Sequence, residues 1–148
     1  MRATPKENPV TTTEYTKPLP RPTEVSAPFW QAAKEHRLIV QRCRRCGNLQ
    51  HYPRPFCLRC AADDLDWQEC SGRGTVYAFT IVRQAASAAF APDVPYVHAV
   101  VALDEGPHMT TNIVGCAPET VRVGMPVTAV FEDATPEITL IKFRPTDG

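Results

Sequence analysis

The sequence predicts a mainly β protein built from an N-terminal helix, a four-cysteine ribbon and a five-stranded antiparallel barrel. Three observations predict it. Residues 43–60 carry two Cys-x2-Cys pairs ten residues apart; downstream, five short runs of β-branched and aromatic residues are separated by turn-forming residues; and residues 26–37 alone carry helical signals. A chain of 148 residues accommodates one compact domain and one small metal-stapled module. The expected division is an extended or disordered arm over 1–25, helix plus ribbon over 26–66, and the barrel over 67–148.

The arm carries Pro5, Pro9, Pro18, Pro20 and Pro22 among threonines and charges, with too few large apolar residues to offset its ordering entropy. Such a chain is extended alone and suited to lying along a partner. Ser26 then stands as an N-cap and Pro28 falls in the first turn, from which a helix continues to Arg37, anchored by Phe29 and Trp30. Leu38 to Gln41 reads as a short strand entering the ribbon.

Cys43, Cys46, Cys57 and Cys60 form the two pairs, with Gly47 after the first, where a tight turn needs positive φ. Four thiolates so spaced suit tetrahedral Zn2+, since each pair wraps half of the ion and the spacer brings the halves together. A tetrathiolate site leaves no open position, so the metal is structural. Two disulfides would require an oxidising compartment. Iron would use the same ligands. Arg37, Arg42, Arg44, Arg45, Arg54 and Arg59 make this module locally basic. Such a patch suits phosphates or an acidic protein surface, or merely solvates a module with almost no core.

Asp63, Asp64 and Asp66 read as a connector. The barrel strands follow: 75–82 after Gly72 and Gly74, then 96–103, 109–114, 127–131 and 138–143. The two glycines are suited to a bulge at a barrel corner, and 84–95, which holds Phe90, reads as a long loop. Five strands with glycine-marked corners suggest the OB-fold.

Basic and acidic residues number 16 each, which counts against a globally basic nucleic-acid binder. No long apolar run or secretory signal is seen, so the expected location is cytoplasmic, with no membrane contact. In that setting Cys70 and Cys116 are free thiols. His36, His51, His98 and His108 are scattered, no nucleotide or hydrolase motif occurs, and no catalytic residue is assigned.

Pro28-Phe29-Trp30, Leu38 to Gln41 before Cys-x2-Cys-Gly, Pro53-Arg54 before the second pair, Ser71-Gly72-Arg73-Gly74-Thr75-Val76-Tyr77 and Asn112-Ile113-Val114-Gly115-Cys116 occur in this order. Together they resemble the family of small acyl-CoA-associated proteins with a rubredoxin-like zinc ribbon and a C-terminal OB-fold, over Ser26 to Phe143. The resemblance implies an accessory subunit of a thiolase-like protein, in a heterotetramer or larger assembly performing thiolase, aldol lyase or acyltransferase chemistry. The partner would supply the catalytic group, and a coenzyme A thioester would be a shared ligand. Phe29, Trp30, Arg54, Arg73, Phe90 and Tyr96 are the candidate acyl-CoA or partner contacts, chosen from charge and placement. Two other classes remain: a single-stranded nucleic-acid binder with ribbon and OB-fold, and an electron carrier with iron in the thiolate site.

Overall fold

Helix α1 covers Ala27–Lys34 in the computed structural model, which describes residues 15–146. Residues 1–14 of the expected arm lie outside the described residues. The helix is shorter than expected at its C-terminal end. His36 adopts φ 60°, a left-handed conformation that ends the helix before Arg37. Its imidazole stacks on Phe131 at 5.1 Å and meets Asp133 Oδ1 at 3.1 Å, tying the helix exit to the barrel. Ser26 occupies the N-cap position without capping the helix. Its Oγ accepts instead from the Thr23 N–H at 2.9 Å, which closes the preceding turn.

Strands β1 (Ile39–Cys43), β2 (Leu49–Gln50) and β3 (Leu65–Glu69) form a three-stranded antiparallel sheet with β1 in the centre. The segment expected as a connector thus contains a strand. Gln41 pairs with Trp67 and Arg42 with Asp66, so the acidic residues of β3 lie beside the basic residues of β1. Arg37 bonds Glu35 at 2.7 Å and Glu69 at 3.3 Å, and Arg44 bonds Asp64 at 2.9 Å. The ribbon is therefore less basic than its local sequence: two of its arginines are neutralised from within the fold.

Strands β4 (Arg73–Val82), β5 (Tyr96–Leu103), β6 (His108–Ile113), β7 (Pro126–Asp133) and β8 (Thr139–Pro145) close into a barrel in the order β4-β5-β6-β8-β7. The expected barrel was wholly antiparallel; the structure corrects this, because β6 and β8 are parallel, paired at Ile113 and Phe143. The reason is parity. Strand directions can alternate all the way round a closed ring only when the number of strands is even, so five strands require one parallel seam. At this seam the ladder is sparse. Val114 N–H donates to Phe143 O at 2.7 Å, and the buried Thr111 hydroxyl donates to Ile141 O at 2.9 Å, where regular pairing would use backbone groups.

A bulge falls at Tyr77 and not at the glycines, since the β4–β5 register shifts between Val76 and Ala78. Gly74 serves close approach instead: a Cβ there would lie 2.5 Å from Ala102 O. The long connection after β4 contains a 3₁₀ segment, Ala88–Asp93. Val76, Val97, Val101, Val127 and Phe143 fill the barrel, and Phe29, Ala33, Leu38 and Val40 join the same core, so α1 docks on its own barrel. No helix among the described residues is long and apolar enough to cross a membrane.

Candidate functional site

The two cysteine turns are built alike. Cys43 N–H donates to Asn48 O and Gly47 N–H returns to Cys43 O, both at 2.9 Å. In the second turn Cys57 N–H donates to Ala62 O at 2.7 Å and Ala61 N–H to Cys57 O at 2.9 Å. Gly47 has φ 80° and Ala61 φ 66°, so the second turn repeats with alanine the backbone for which the first uses glycine.

The four thiols converge with every Sγ within 4.8 Å of the others. Cys43 and Cys60 Sγ are 3.6 Å apart, and Cys46 and Cys57 Sγ are 3.7 Å apart. A tetrahedron with metal–sulfur bonds of about 2.3 Å has edges of about 3.8 Å, so the four are positioned to hold such an ion. Amide N–H groups aim at the inner sulfurs: Arg59 and Cys60 N–H approach Cys57 Sγ at 3.3 and 3.5 Å. Burial opposes ionisation of Cys57, but these amides bring its thiol down to about 6. The Cys46 amide likewise lowers Cys43. Cys60 moves the other way: the Ala62 amide lowers it, but burial and its contacts with the other three sulfurs push it up to about 11, so the amides favour thiolate, the ligand form, at Cys43 and Cys57.

Buried amides support the loop between the turns. Gln41 Nε2 donates to Arg54 O at 2.9 Å while its Oε1 accepts from Arg54 N–H at 2.9 Å. Gln50 Nε2 bonds Gln41 Oε1 at 2.9 Å and Phe56 O at 3.2 Å, and Gln50 Oε1 accepts from Leu58 N–H at 2.9 Å. Sequence reasoning missed both residues. An adequate signal existed, since a glutamine at an inward position of a strand must satisfy its amide with loop backbone.

Beside this loop, a cleft of about 460 Å³ opens over the parallel seam. Its floor is β6 and β8, including Thr110, Asn112 and Lys142; its wall is α1 and the ribbon, with Phe29, Trp30, His51, Tyr52 and Arg54. Trp30 Nε1 donates to the Tyr52 hydroxyl at 3.0 Å, and Phe29 packs edge-on against Trp30 at 5.0 Å. His51 lies 5.2 Å from Phe29, and burial pushes its pKa down to about 4, so the wall is aromatic with Arg54 as its cation. Its Nδ1 is buried with no hydrogen-bond partner among the described residues.

A second cavity of about 330 Å³ continues along the same seam and shares Asn112, Leu140 and Lys142 with the first. Phe90, Tyr96, Ile113 and Val114 give it an apolar wall, and Tyr15 and Lys17 of the expected arm cover one side. Lys17 Nζ bonds Asp93 at 2.6 Å, so this end of the arm lies on the chain's own barrel.

The six candidate contacts divide accordingly. Phe29, Trp30 and Arg54 line the first cavity and Phe90 and Tyr96 the second, while Arg73 lines neither. Arg73 lies on β4 facing the register of Thr128 on β7. His108, Lys142, His51 and Tyr52 line the trough without having been singled out as contacts. They come together only because the seam brings β6 and β8 under the ribbon loop. Cys70 is buried and pushed up to about 12, first by burial and then by the Glu105 carboxylate, which leaves it an inert thiol. His98 points outward from β5.

Comparison with known proteins places these features in context. Residues 30–66 match the family described as "ChsH2, rubredoxin-like zinc ribbon domain", and residues 67–132 match "ChsH2, C-terminal OB-fold domain". A probable enoyl-CoA hydratase alpha subunit of Thermomonospora curvata is 41% identical over 129 residues, 87% of this chain. The chain spans only 40% of that protein's length. A "DUF35 domain-containing scaffold protein" of Methanocaldococcus jannaschii is 38% identical, over 69% of this chain and 73% of that protein. Among solved structures, a chain of the "Ltp2-ChsH2(DUF35) aldolase" superposes with a TM-score of 0.77 at 41% identity, covering 85% of this chain and 98% of that one.

Proposed function

This chain belongs to the ChsH2 family of rubredoxin-like zinc ribbons joined to OB-folds, and from that premise we propose that it is a non-catalytic, zinc-holding partner of a thiolase-like protein. In this reading it contributes one wall of that partner's acyl-CoA site. The observation that carries the proposal is the trough along the parallel seam. Its ribbon end offers Trp30 and Tyr52 as flat aromatic surfaces and Arg54 as a cation, which suits a base and phosphates. Its other end sets an apolar wall of Phe90, Tyr96 and Ile113 beside the ion pairs Lys17–Asp93 and Lys142–Glu132, and suits an acyl chain lying along that wall. A coenzyme A thioester has both characters in that order. The four thiolates would hold Zn2+ as a closed structural site, and bond-making would fall to the partner.

Relatives support the assembly: the solved aldolase pairs a ChsH2(DUF35) chain with Ltp2. The hydratase named for the Thermomonospora relative belongs to a protein of which this chain spans 40%, so that activity is not carried over. The test is to assemble the chain with the Ltp2 protein of that aldolase and titrate with coenzyme A. Trp30→Ala and Arg54→Ala should each weaken binding tenfold or more with zinc content unchanged. Equal affinity in both variants would exclude the trough as a coenzyme A site.

A further inference from the structure

Three of the exposed large apolar side chains lie within seven residues of one another, on the loop between the cysteine turns and the first residue inside the second turn. Tyr52 is 40% exposed, Phe56 48% and Leu58 61%. An apolar loop tip is commonly mobile, but this one is fixed from beneath. Gln41 binds both backbone groups of Arg54, and Gln50 binds Phe56 O and Leu58 N–H, so the buried amides hold the residues that carry the exposed side chains. Cys57, between Phe56 and Leu58, is buried as one of the four converging thiols, and its N–H and C=O are held by Ala62 and Ala61. Arg54 and Arg59 alternate with the apolar residues, are exposed, and form no ion pair among the described residues. Arg37 and Arg44 of the same module, by contrast, are neutralised by Glu35, Glu69, Asp64 and Asp66.

We propose that this preorganised face, with Tyr52, Phe56 and Leu58 at its centre and Arg54 and Arg59 at its edge, is the surface through which the ribbon docks on an apolar patch rimmed by carboxylates on a different protein. A rigid apolar and arginine surface costs little ordering on association. The unpaired arginines select the occupant. Symmetric pairing with a second copy would set arginine against arginine, whereas an acidic rim would complement them. The proposal rests on the reading above that the chain has a protein partner. It adds which face meets that partner.

The experiment measures the affinity of the full chain for purified Ltp2 of the related aldolase. Phe56→Asp with Leu58→Asp should reduce affinity at least thirtyfold, with zinc content and melting temperature unchanged. Arg54→Glu with Arg59→Glu should reduce it about tenfold and flatten its dependence on salt. Should the double aspartate variant lose zinc, Leu58→Ser alone repeats the measurement and should cost about fivefold. Wild-type affinity in the zinc-bound variants overturns the docking face while leaving the partner reading intact. No binding by the wild-type chain overturns both. Concentration-dependent dimerisation of the chain alone, or co-sedimentation with phosphatidylglycerol vesicles, would overturn the proposal in favour of a second copy or a lipid surface if abolished by the same aspartates.

Discussion

The ribbon and the barrel hold their shapes by different means. In the barrel, Val76, Val97, Val101, Val127 and Phe143 are almost wholly removed from water. Burial on that scale stabilises by about 1.5–3 kcal/mol per side chain. Between Cys43 and Asp64 the buried residues are Cys43, Gln50, Pro53 and Cys57, with no buried Val, Leu, Ile or Met. Thiolates and amides do there what valines do in the barrel. A module without an apolar core has its apolar side chains available for the outside, and Phe56 and Leu58 are placed accordingly.

The largest test of this contrast removes the metal ligand. Cys57→Ser should abolish zinc binding and unfold residues 43–64, because apparent binding energies of structural zinc reach about 10–16 kcal/mol in small metal-dependent modules. Hydrogen exchange should show the ribbon amides losing protection while β4–β8 retain theirs. Cooperative loss of both would mean that the two regions are one folding unit. The converse substitution is Phe143→Ala. It removes a fully buried ring next to the parallel seam and should cost about 3–5 kcal/mol in denaturant unfolding. Zinc stoichiometry measured in native buffer should be unchanged.

The features legible in the sequence were those whose signal is local. Two cysteine pairs at fixed spacing define their own site, and β4 announces itself by its run of β-branched and aromatic residues. What escaped depends on pairing across the chain. Asp63, Asp64 and Asp66 looked like a connector because the strand Leu65–Glu69 has no alternation of buried and exposed positions and is fixed only by its pairing with β1. The neutralisation of Arg37 and Arg44 follows from that pairing and was invisible for the same reason. The parallel seam was within reach of reasoning, since five strands in a closed ring require it. Its consequence was not: the residues of the trough come from α1, the ribbon loop, β6 and β8, with no common motif. Arg73, chosen for charge, lies on β4 outside both cavities.

A third prediction concerns acid. Burial holds His51 at about 4, below its ordinary value near 6.5, so the unfolded chain binds the extra proton between these values and the folded chain does not. The stability due to neutral His51 is complete above pH 6.5 and is lost as pH falls toward 4, to a limit of about 3 kcal/mol. Protonation of the thiolates also weakens the ribbon in acid, so the diagnostic is the difference between wild type and His51→Phe, which keeps all four ligands. The difference in unfolding free energy between pH 7 and pH 5 should be smaller in the variant. An identical pH dependence would mean that His51 is solvated in the folded state.

The smallest expected effect isolates the amide support from the metal. Gln41→Leu keeps a side chain of similar volume at a position 4% exposed, but leaves the Arg54 N–H and carbonyl and the Gln50 amide without that partner. Unsatisfied buried groups cost about 1–3 kcal/mol each, and partial hydration at the exposed Arg54 should place the total near 2 kcal/mol. Because the cysteine turns make their own hydrogen bonds, zinc should remain bound at full stoichiometry. The measurable change is local: faster hydrogen exchange at Arg54 and Leu58, with the barrel amides unaffected. Should exchange accelerate uniformly over the ribbon instead, the metal and the glutamines would be parts of one cooperative support, and the loop would owe its rigidity to Cys57 as much as to Gln41.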